Sequence, residues 1–293
     1  MHSVGLVLHP KRDSAEAVEA ILSWAERVGK TVYGIDDEVV RLRCAAVGVP
    51  PAELAKHCDL LVSLGGDGTM LRAMRLADSV GDEGNPTPIL GVNLGKLGFL
   101  AEVDVPEVPA ALTAIDRHEY TIEPRLAIDC LLDGEQVTAF NDIAVVRVPG
   151  DGSAVLSVRV GGEPFVSYAA DAVVVSTPTG STAYSFSAGG PIVAPTVDAL
   201  IVTPAAPHSA YNRGVVLSVA DALSLDVLPT SGRLAVEVDG AVGGHVVGGD
   251  QLEIAARLGA ARVIRLGQTT FYQRARRKLR ITDSAEVNFP SGV

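Results

Sequence analysis

The chain has 293 residues, of which 47% are hydrophobic and 20% charged, with a formal net charge of −11. That length has room for two cores and predicts two domains. The acidic balance argues against a nucleic-acid surface, and with no uncharged apolar run near about 18 residues the sequence offers no membrane-spanning helix. Cys44, Cys58 and Cys130 stand apart without a C-x-x-C pair, which suits a reducing compartment and gives no zinc signature. With no signal-peptide pattern at the N-terminus, the expectation is a cytoplasmic protein without membrane or nucleic-acid partners.

Taken in order, Val4–Leu8 reads as a first strand. A helix follows, its start marked by Asp13 and Glu16 at capping-box spacing, with Val18, Ile21, Leu22, Ala25 and Val28 on one apolar face. Trp24 beside that stripe reads as a core or interface residue. Thr31–Ile35 is a second strand, and a poorly patterned stretch follows it. Asp59–Leu64 is the clearest strand of the first half and runs into Gly65-Gly66-Asp67-Gly68-Thr69 and a helix carrying Met70, Leu71, Met74 and Leu76. Pro88–Asn93 is a further strand, and a helix starts after Pro106 with Val108, Ala111, Leu112 and Ile115 inward. Alternating strands and helices to about residue 118 imply an α/β layer on a mostly parallel sheet.

Beyond residue 120 the texture changes to short strands with Gly, Pro and Asp punctuation. Leu126–Leu132 and Gln136–Phe140 flank Asp133-Gly134-Glu135, and Gly161-Gly162 marks another hairpin. Ile143–Val148, Val155–Val160, Val215–Val219, Leu223–Leu228, Leu234–Val238 and His245–Val247 complete a pattern expected of an antiparallel sheet or sandwich. The predicted divisions are 1–120 for the α/β domain, 121–266 for a β-rich domain and 267–293 for a C-terminal segment. That segment carries Arg274, Arg276, Arg277, Lys278 and Arg280, a cluster read as a solvated or interface face, with a phosphate contact as the alternative.

Two loops carry the chemistry. Strand, glycine loop and helix present backbone N–H groups to an anion, yet neither a Walker A loop nor G-x-G-x-x-G fits Gly65–Thr69. An Asp inside such a loop repels phosphate, so Asp67 reads as a base, a partner for a sugar hydroxyl, or a helix cap. The second loop, Ser176–Tyr184, follows the apolar run Ala172–Val175 and offers hydroxyls and a glycine where nothing packs, either as a turn or as a ligand loop. There is no G-x-S-x-G elbow, no H-x-x-x-H spacing, and no residue is assigned to a metal.

With these motifs in hand, nearly the whole chain resembles the NAD kinase family. The family's GGDGT stands at Gly65–Thr69, GVNLGxLGFL at Gly91–Leu100, STPTGSTAYSxSAGGPI at Ser176–Ile192, and PHSxxxR at Pro207–Arg213. The resemblance implies an α/β N-terminal domain, a β-rich C-terminal domain with the active site between them, and a last segment returning to the first domain. It implies phosphoryl transfer from ATP or polyphosphate to the 2′-hydroxyl of the adenosine ribose of NAD, with Mg²⁺, in a homodimer or homotetramer. Carried over by position, Asp67 would be the base, and Gly65, Gly66, Gly68 and Thr69 the phosphate cradle, with Gly68 and Arg72 along NAD. Asn141 and Asp142 would recognise the dinucleotide, Asp171 would meet its nicotinamide half, and Thr182, Ala183, Tyr184 and Ser187 would line the adenine pocket. Three positions depart from the family pattern: Asp142 stands for Glu, Ala172 for Gly, and Ala241 for Gln. Ala172 would be strained if that site needed a positive φ. A kinase for another ribose-bearing metabolite and a non-catalytic NAD(P)-binding paralogue are the alternatives these departures leave.

Overall fold

A computed structural model of the protein describes residues 1–79, 85–95, 98–208 and 211–282. By contact the chain divides into two compact units. One comprises Met1–Leu76, Pro88–Ile122 and the described residues from Ile264 onward; the other comprises Ala77–Thr87 and Glu123–Val263.

The first unit runs β1 (Ser3–Leu8), α1 (Ala15–Val28), β2 (Thr31–Ile35), α2 (Asp36–Leu42), β3 (Val47–Val49) and α3 (Pro51–His57). It continues through β4 (Leu60–Gly65), α4 (Asp67–Asp78), β5 (Ile89–Asn93), β6 (Val103–Asp104) and α5 (Val108–Asp116). The strands lie in the order β3-β2-β1-β4-β5, all parallel, with β6 beside β5. Every residue of β4 and β5 is buried, as expected of parallel strands covered on both faces. The chain starts at β1, builds to one side through β3, then resumes at β4 on the other. Ligand crevices of such sheets open where the order reverses, beyond the carboxyl ends of the strands, here those of β1 and β4.

On α1, Val18, Ile21 and Ala25 are buried, while Val28, the last residue of the helix, is 43% exposed. Trp24 is buried, its indole N–H donating to Thr113 Oγ1 at 3.1 Å. The helix starts one residue later than the capping-box spacing suggests. Ser14 is the N-cap, and Asp13 instead accepts from Ala15 N at 2.9 Å. The poorly patterned stretch after Ile35 folds as α2, β3 and α3. Elements of seven, three and seven residues are too short to repeat an apolar period.

The second unit holds β7 (Thr121–Leu132), β8 (Glu135–Ala139), β9 (Asp142–Arg147), β10 (Ala154–Val160), β11 (Glu163–Ala170) and β12 (Ala172–Ser176). A short α6 (Tyr184–Ser187) precedes β13 (Ala199–Ala205), β14 (Val215–Ser218), β15 (Leu223–Val227), β16 (Leu234–Val238), β17 (Ala241–Val246) and β18 (Gln251–Arg265). Strands β14-β13-β12-β9-β16-β17 form one antiparallel sheet, and β11-β10-β15-β18 are antiparallel neighbours in another. The in-and-out alternation of a half-exposed strand is absent from β12 because both its faces are covered, and all five of its residues are buried. Leu156, Val158, Tyr168, Val173, Val175, Leu225 and Val236 belong to the core of this unit. The first hairpin turns on Asp133-Gly134 alone, both with positive φ, so Glu135 pairs with Leu132 instead of sitting in the turn. The Gly161-Gly162 turn joins β10 to β11 in the hairpin expected there, whereas β13 and β18 are not among the predicted strands.

The described chain ends in α7 (Phe271–Lys278), opened by a Thr270–Gln273 capping box. It is not a uniformly solvated basic face. Arg274 is 4% exposed and donates to Glu102 Oε2 at 3.0 Å, as does Arg265. Glu102 Oε1 accepts from Leu266 N at 2.9 Å. Glu102→Ala strips the carboxylate from two buried guanidinium groups and is expected to cost on the order of 3–5 kcal/mol. Urea unfolding measures this, and a change below about 1 kcal/mol would show that the cluster does not anchor α7.

Candidate active site

At the reversal between β1 and β4 lies a cavity of about 420 Å³, lined by Leu8, His9, Pro10, Arg12, Gly66, Asp67, Gly68, Thr69, Arg72 and Arg75. The loop's glycines serve different ends. A Cβ on Gly65 would strike the Thr69 side chain, so the fold itself demands glycine there. A Cβ on Gly66 or Gly68 would meet nothing within 4 Å, and neither residue has a positive φ. Packing does not explain those two, whereas close approach of a ligand to the backbone does. Gly66 O accepts from Thr69 N and Met70 N at 3.0 and 3.1 Å, turning the loop directly into α4.

Two residues that line this cavity carry a buried polar atom with no hydrogen-bond partner among the described residues, Arg12 Nη1 and Thr69 Oγ1. Beside them Arg72 donates to Leu8 O at 3.2 Å and pairs with Glu38, whose other oxygen accepts from Leu8 N at 2.8 Å. Backbone N–H groups of Lys11 and Arg12 both donate to His9 Nδ1 at 3.0 Å. Burial, then the charges of Arg12, Arg41 and Lys11, lower the His9 pKa and favour its neutral form. A bare glycine backbone, a helix N-terminus and unpartnered cationic and hydroxyl donors suit a phosphate chain. Arg12 and Glu38 belong to no glycine motif. Only the fold, which places the ends of β1 and α2 beside the loop, reveals them.

Asp67 lines the same cavity and is held by the GVNLGxLGFL segment. Its Oδ1 accepts from Phe99 N at 2.9 Å and Leu100 N at 3.1 Å; its Oδ2 accepts from Phe99 N at 3.1 Å and from Lys278 Nζ at 2.7 Å. A Cβ on Gly98 would collide with this carboxylate, which accounts for that glycine. Lys96 and Leu97 of the segment lie outside the described residues, as do Ser209 and Ala210 of the Pro207–Arg213 element. The helix-cap alternative for Asp67 gives way to these partners, which come from across the unit. Among the described residues no three His, Cys, Asp or Glu side chains gather to hold a metal ion.

In the second unit the polar residues converge on the corner before β9. The Asp239 carboxylate, at a residue with φ 49, accepts from Phe140 N, Asn141 N and Asp142 N at 3.2, 2.7 and 3.3 Å. The Ser176–Tyr184 loop is stapled to the same corner. Thr177 N donates to Asn141 O at 2.9 Å, and Thr177 Oγ1 to Phe140 O at 2.6 Å. A Cβ on Gly180 would collide with the Asn141 backbone. Several hydroxyls expected to face a ligand are therefore spent internally. Ser181 Oγ donates to Pro178 O at 2.7 Å; just past the loop, Ser185 Oγ shares a hydrogen bond with Thr203 Oγ1 at 3.0 Å. Thr182, Ala183 and Tyr184 stay half-buried, and Ser187 is exposed.

Asp142 is buried and takes the Tyr184 backbone N–H. Burial, then the Asp239 charge, push its carboxyl up to about 7, with Glu237 adding to the push against the pull of that N–H. The Tyr184 phenol is raised as well, by burial and then by Glu237, Asp142 and Asp171. Asp171 precedes β12 and pairs with Arg147, an exposed partner that no motif singles out. Ala172 is the first residue of β12 and has no positive φ, so the condition for strain there is not met. Ala241 is exposed at the start of β17.

A parallel sheet with a carboxylate-bearing glycine loop at its switch point defines a phosphate-handling α/β fold. A family model described as the ATP-NAD kinase N-terminal domain matches residues 4–120, and one described as the ATP-NAD kinase C-terminal domain matches residues 140–266. The NAD kinase of Desulforamulus reducens is 37% identical over 287 residues, covering 96% of this chain and 98% of its own. That of Heliobacterium modesticaldum is 39% identical over 289 residues, covering 95% and 99%. The solved structure of an NAD kinase from Archaeoglobus fulgidus in complex with ATP is 25% identical, with a TM-score of 0.73 over 95% of this chain and 98% of that one. Yeast NADH kinase complexed with NADH shares the fold, with a TM-score of 0.82 at 24% identity over 100% and 90% of the chains. The chain belongs to the ATP-NAD kinase family.

The raised carboxyl of Asp142 makes stability depend on pH. A group whose folded value lies above its unfolded one keeps a proton that the unfolded chain has released, so stability falls as pH rises from about 4 to about 7. Asp142→Asn removes that loss. The variant is expected to gain roughly 1–3 kcal/mol over wild type at pH 8 and to converge with it toward pH 4. Urea unfolding at both pH values checks this, and identical pH dependence in the two proteins would show that Asp142 holds no such proton.

Proposed function

We propose that this protein transfers the terminal phosphoryl group of ATP, or of inorganic polyphosphate, to the 2′-hydroxyl of the adenosine ribose of NAD, giving NADP. The acceptor hydroxyl gives its proton to Asp67 while its oxygen bonds to the terminal phosphorus. The bond from that phosphorus to the bridging oxygen breaks, and its electron pair leaves with the shortened donor. The reading rests on one observation above all: a carboxylate stands in a glycine loop whose Gly66 and Gly68 leave the backbone bare over a cavity. Family membership supplies the acceptor.

Each unit has a part in this reading. Gly66, Gly68, the α4 N-terminus, Arg12 Nη1 and Thr69 Oγ1 hold the donor phosphates, with Arg72 kept at the wall by Glu38. Phosphoryl transfer asks chiefly for positioning and charge neutralisation, which this set supplies. Asn141, Asp142, Asp171, Thr182, Ala183, Tyr184 and Ser187 take the dinucleotide, with the Tyr184 ring as a stacking face for adenine. The Arg147–Asp171 pair is exposed on both sides, so Asp171 can exchange that partner for a ligand at little cost. Among the described residues Asp67 is the one carboxylate lining the cavity, which does not make a protein cage for a divalent cation. Mg²⁺ fits this site only as an ion carried in on the donor's phosphate oxygens.

A homodimer or homotetramer in the cytoplasm goes with the same reading. Phe165, Val216 and Val242 leave apolar surface on the second unit, and Cys44, Cys58 and Cys130 are free thiols. A second acceptor remains in play because Asp142, shorter than Glu by one C–C bond, turns its carboxylate to the Tyr184 N–H. Purified protein with ATP and Mg²⁺, offered NAD, NADH and a panel of nucleosides, decides between them. NAD is expected to gain phosphate; efficient phosphorylation of another acceptor with NAD inert would overturn the reading.

Two substitutions test the residue roles. Asp67→Asn keeps the shape of the carboxylate and should cut turnover by roughly 10²–10⁴-fold while leaving dinucleotide binding mostly intact. Undiminished turnover removes Asp67 from the mechanism. Tyr184→Ala should raise KM for NAD far more than KM for ATP, and the reverse would mean that the two loops have been assigned to the wrong substrates.

A further inference from the structure

Asp67 is held by three donors. The Phe99 N–H is shared between its two carboxylate oxygens, Leu100 N donates to Oδ1, and Lys278 Nζ donates to Oδ2. An acceptor hydroxyl that gives its proton to Oδ2 must compete there with the ammonium, which is the strongest of the three donors. Two of these donors are main-chain groups of a segment packed against the carboxylate through Gly98. Lys278 is the flexible side chain among them.

The lysine is built to stay near and to move. Its helix is fixed by Arg274, buried on Glu102, and residues four apart lie on the same face, so the anchor and Lys278 point the same way. The ammonium stands 4.6 Å from the centroid of the Phe99 ring, which gives it an apolar-aromatic track beside Asp67. The pair itself is partly open, with 32% of the lysine and 28% of the aspartate side chain exposed, and ion pairs so placed are weak. A triphosphate in the cavity that Asp67 lines offers the same ammonium several charged oxygens.

We propose that Lys278 caps Asp67 in the resting protein and is exchanged onto a donor phosphate when the triphosphate binds. The exchange frees Asp67 Oδ2 for the acceptor hydroxyl and adds a positive charge beside the phosphoryl group to be transferred. The base is thus uncovered only when a donor is present. This rests on the kinase reading above, yet its test needs no turnover.

The test is a double-mutant cycle on the affinity for a non-hydrolysable ATP analogue with Mg²⁺, measured by calorimetry without acceptor. Its four proteins are wild type, Lys278→Met, Asp67→Asn and the double variant. Asp67→Asn tightens anion binding by itself through lost repulsion, so the diagnostic is the cost of Lys278→Met in each background. Exchange predicts a modest cost in wild type, where phosphate must compete with Asp67, and a larger one of about tenfold in the Asp67→Asn background. A lysine that only neutralises Asp67 gives the opposite pattern, a cost in wild type that vanishes in the Asp67→Asn background, and that result overturns the proposal. Equal affinity with and without Lys278 in both backgrounds overturns it too. Lys278→Arg should retain most of the affinity, and unchanged melting temperatures show that α7 stays in place. Absence of NAD phosphorylation by wild type would count against the acceptor reading alone and leave this cycle interpretable.

Discussion

Glu102 ties the last described helix of the first unit to its sheet. A carboxylate with no exposed side-chain surface is tolerable only when it is fully paired, and here Arg265, Arg274 and Leu266 N supply the partners. Those three residues come from the far end of the chain, so satisfying one buried charge fixes where α7 lies. With α7 fixed, Lys278 reaches Asp67 and Phe271 comes within 6.4 Å of Phe99, centroid to centroid. The same Phe99 donates its N–H to both oxygens of Asp67.

Asp239 does comparable work in the second unit by a different means. Its carboxylate collects three successive backbone N–H groups at the corner it organises. That tight collection turns the chain into β9 and sets Asp142 beside a second acid in a buried place. The raised carboxyl of Asp142 follows from that architecture. One unit thus uses a carboxylate to gather cationic side chains, and the other uses one to gather neutral main-chain donors.

Much of this is legible in the residues. Apolar runs and glycine spacing mark the GGDGT loop, its strand and its helix, and β1, β2, β4 and β5 fall where the pattern puts them. The region from Asp36 to His57 is not legible, because its elements are shorter than the period needed to recognise them. Hydroxyls in the Ser176–Tyr184 loop can be counted but not sorted, since which ones bond inward depends on the corner at Asn141, far away in sequence. The basic run near the C-terminus is similarly opaque. Composition shows five cations, while only the fold distinguishes buried Arg274 from Lys278, which meets a carboxylate.

The first unit is discontinuous, and this has a consequence for how the protein is made. Its strands β1 to β6 are complete in sequence before the β-rich segment begins, and that segment ends at Val263, before α7. During synthesis the glycine loop and the Phe99-Leu100 backbone can meet early, but Arg265 follows Glu102 by 163 residues and leaves the ribosome that much later. Until then a carboxylate destined for burial stays hydrated, and the nascent unit remains open at that point. The last described helix is therefore the one that closes the first unit, and a chain cut short before Arg265 would retain the glycine loop without the residues that seat α7.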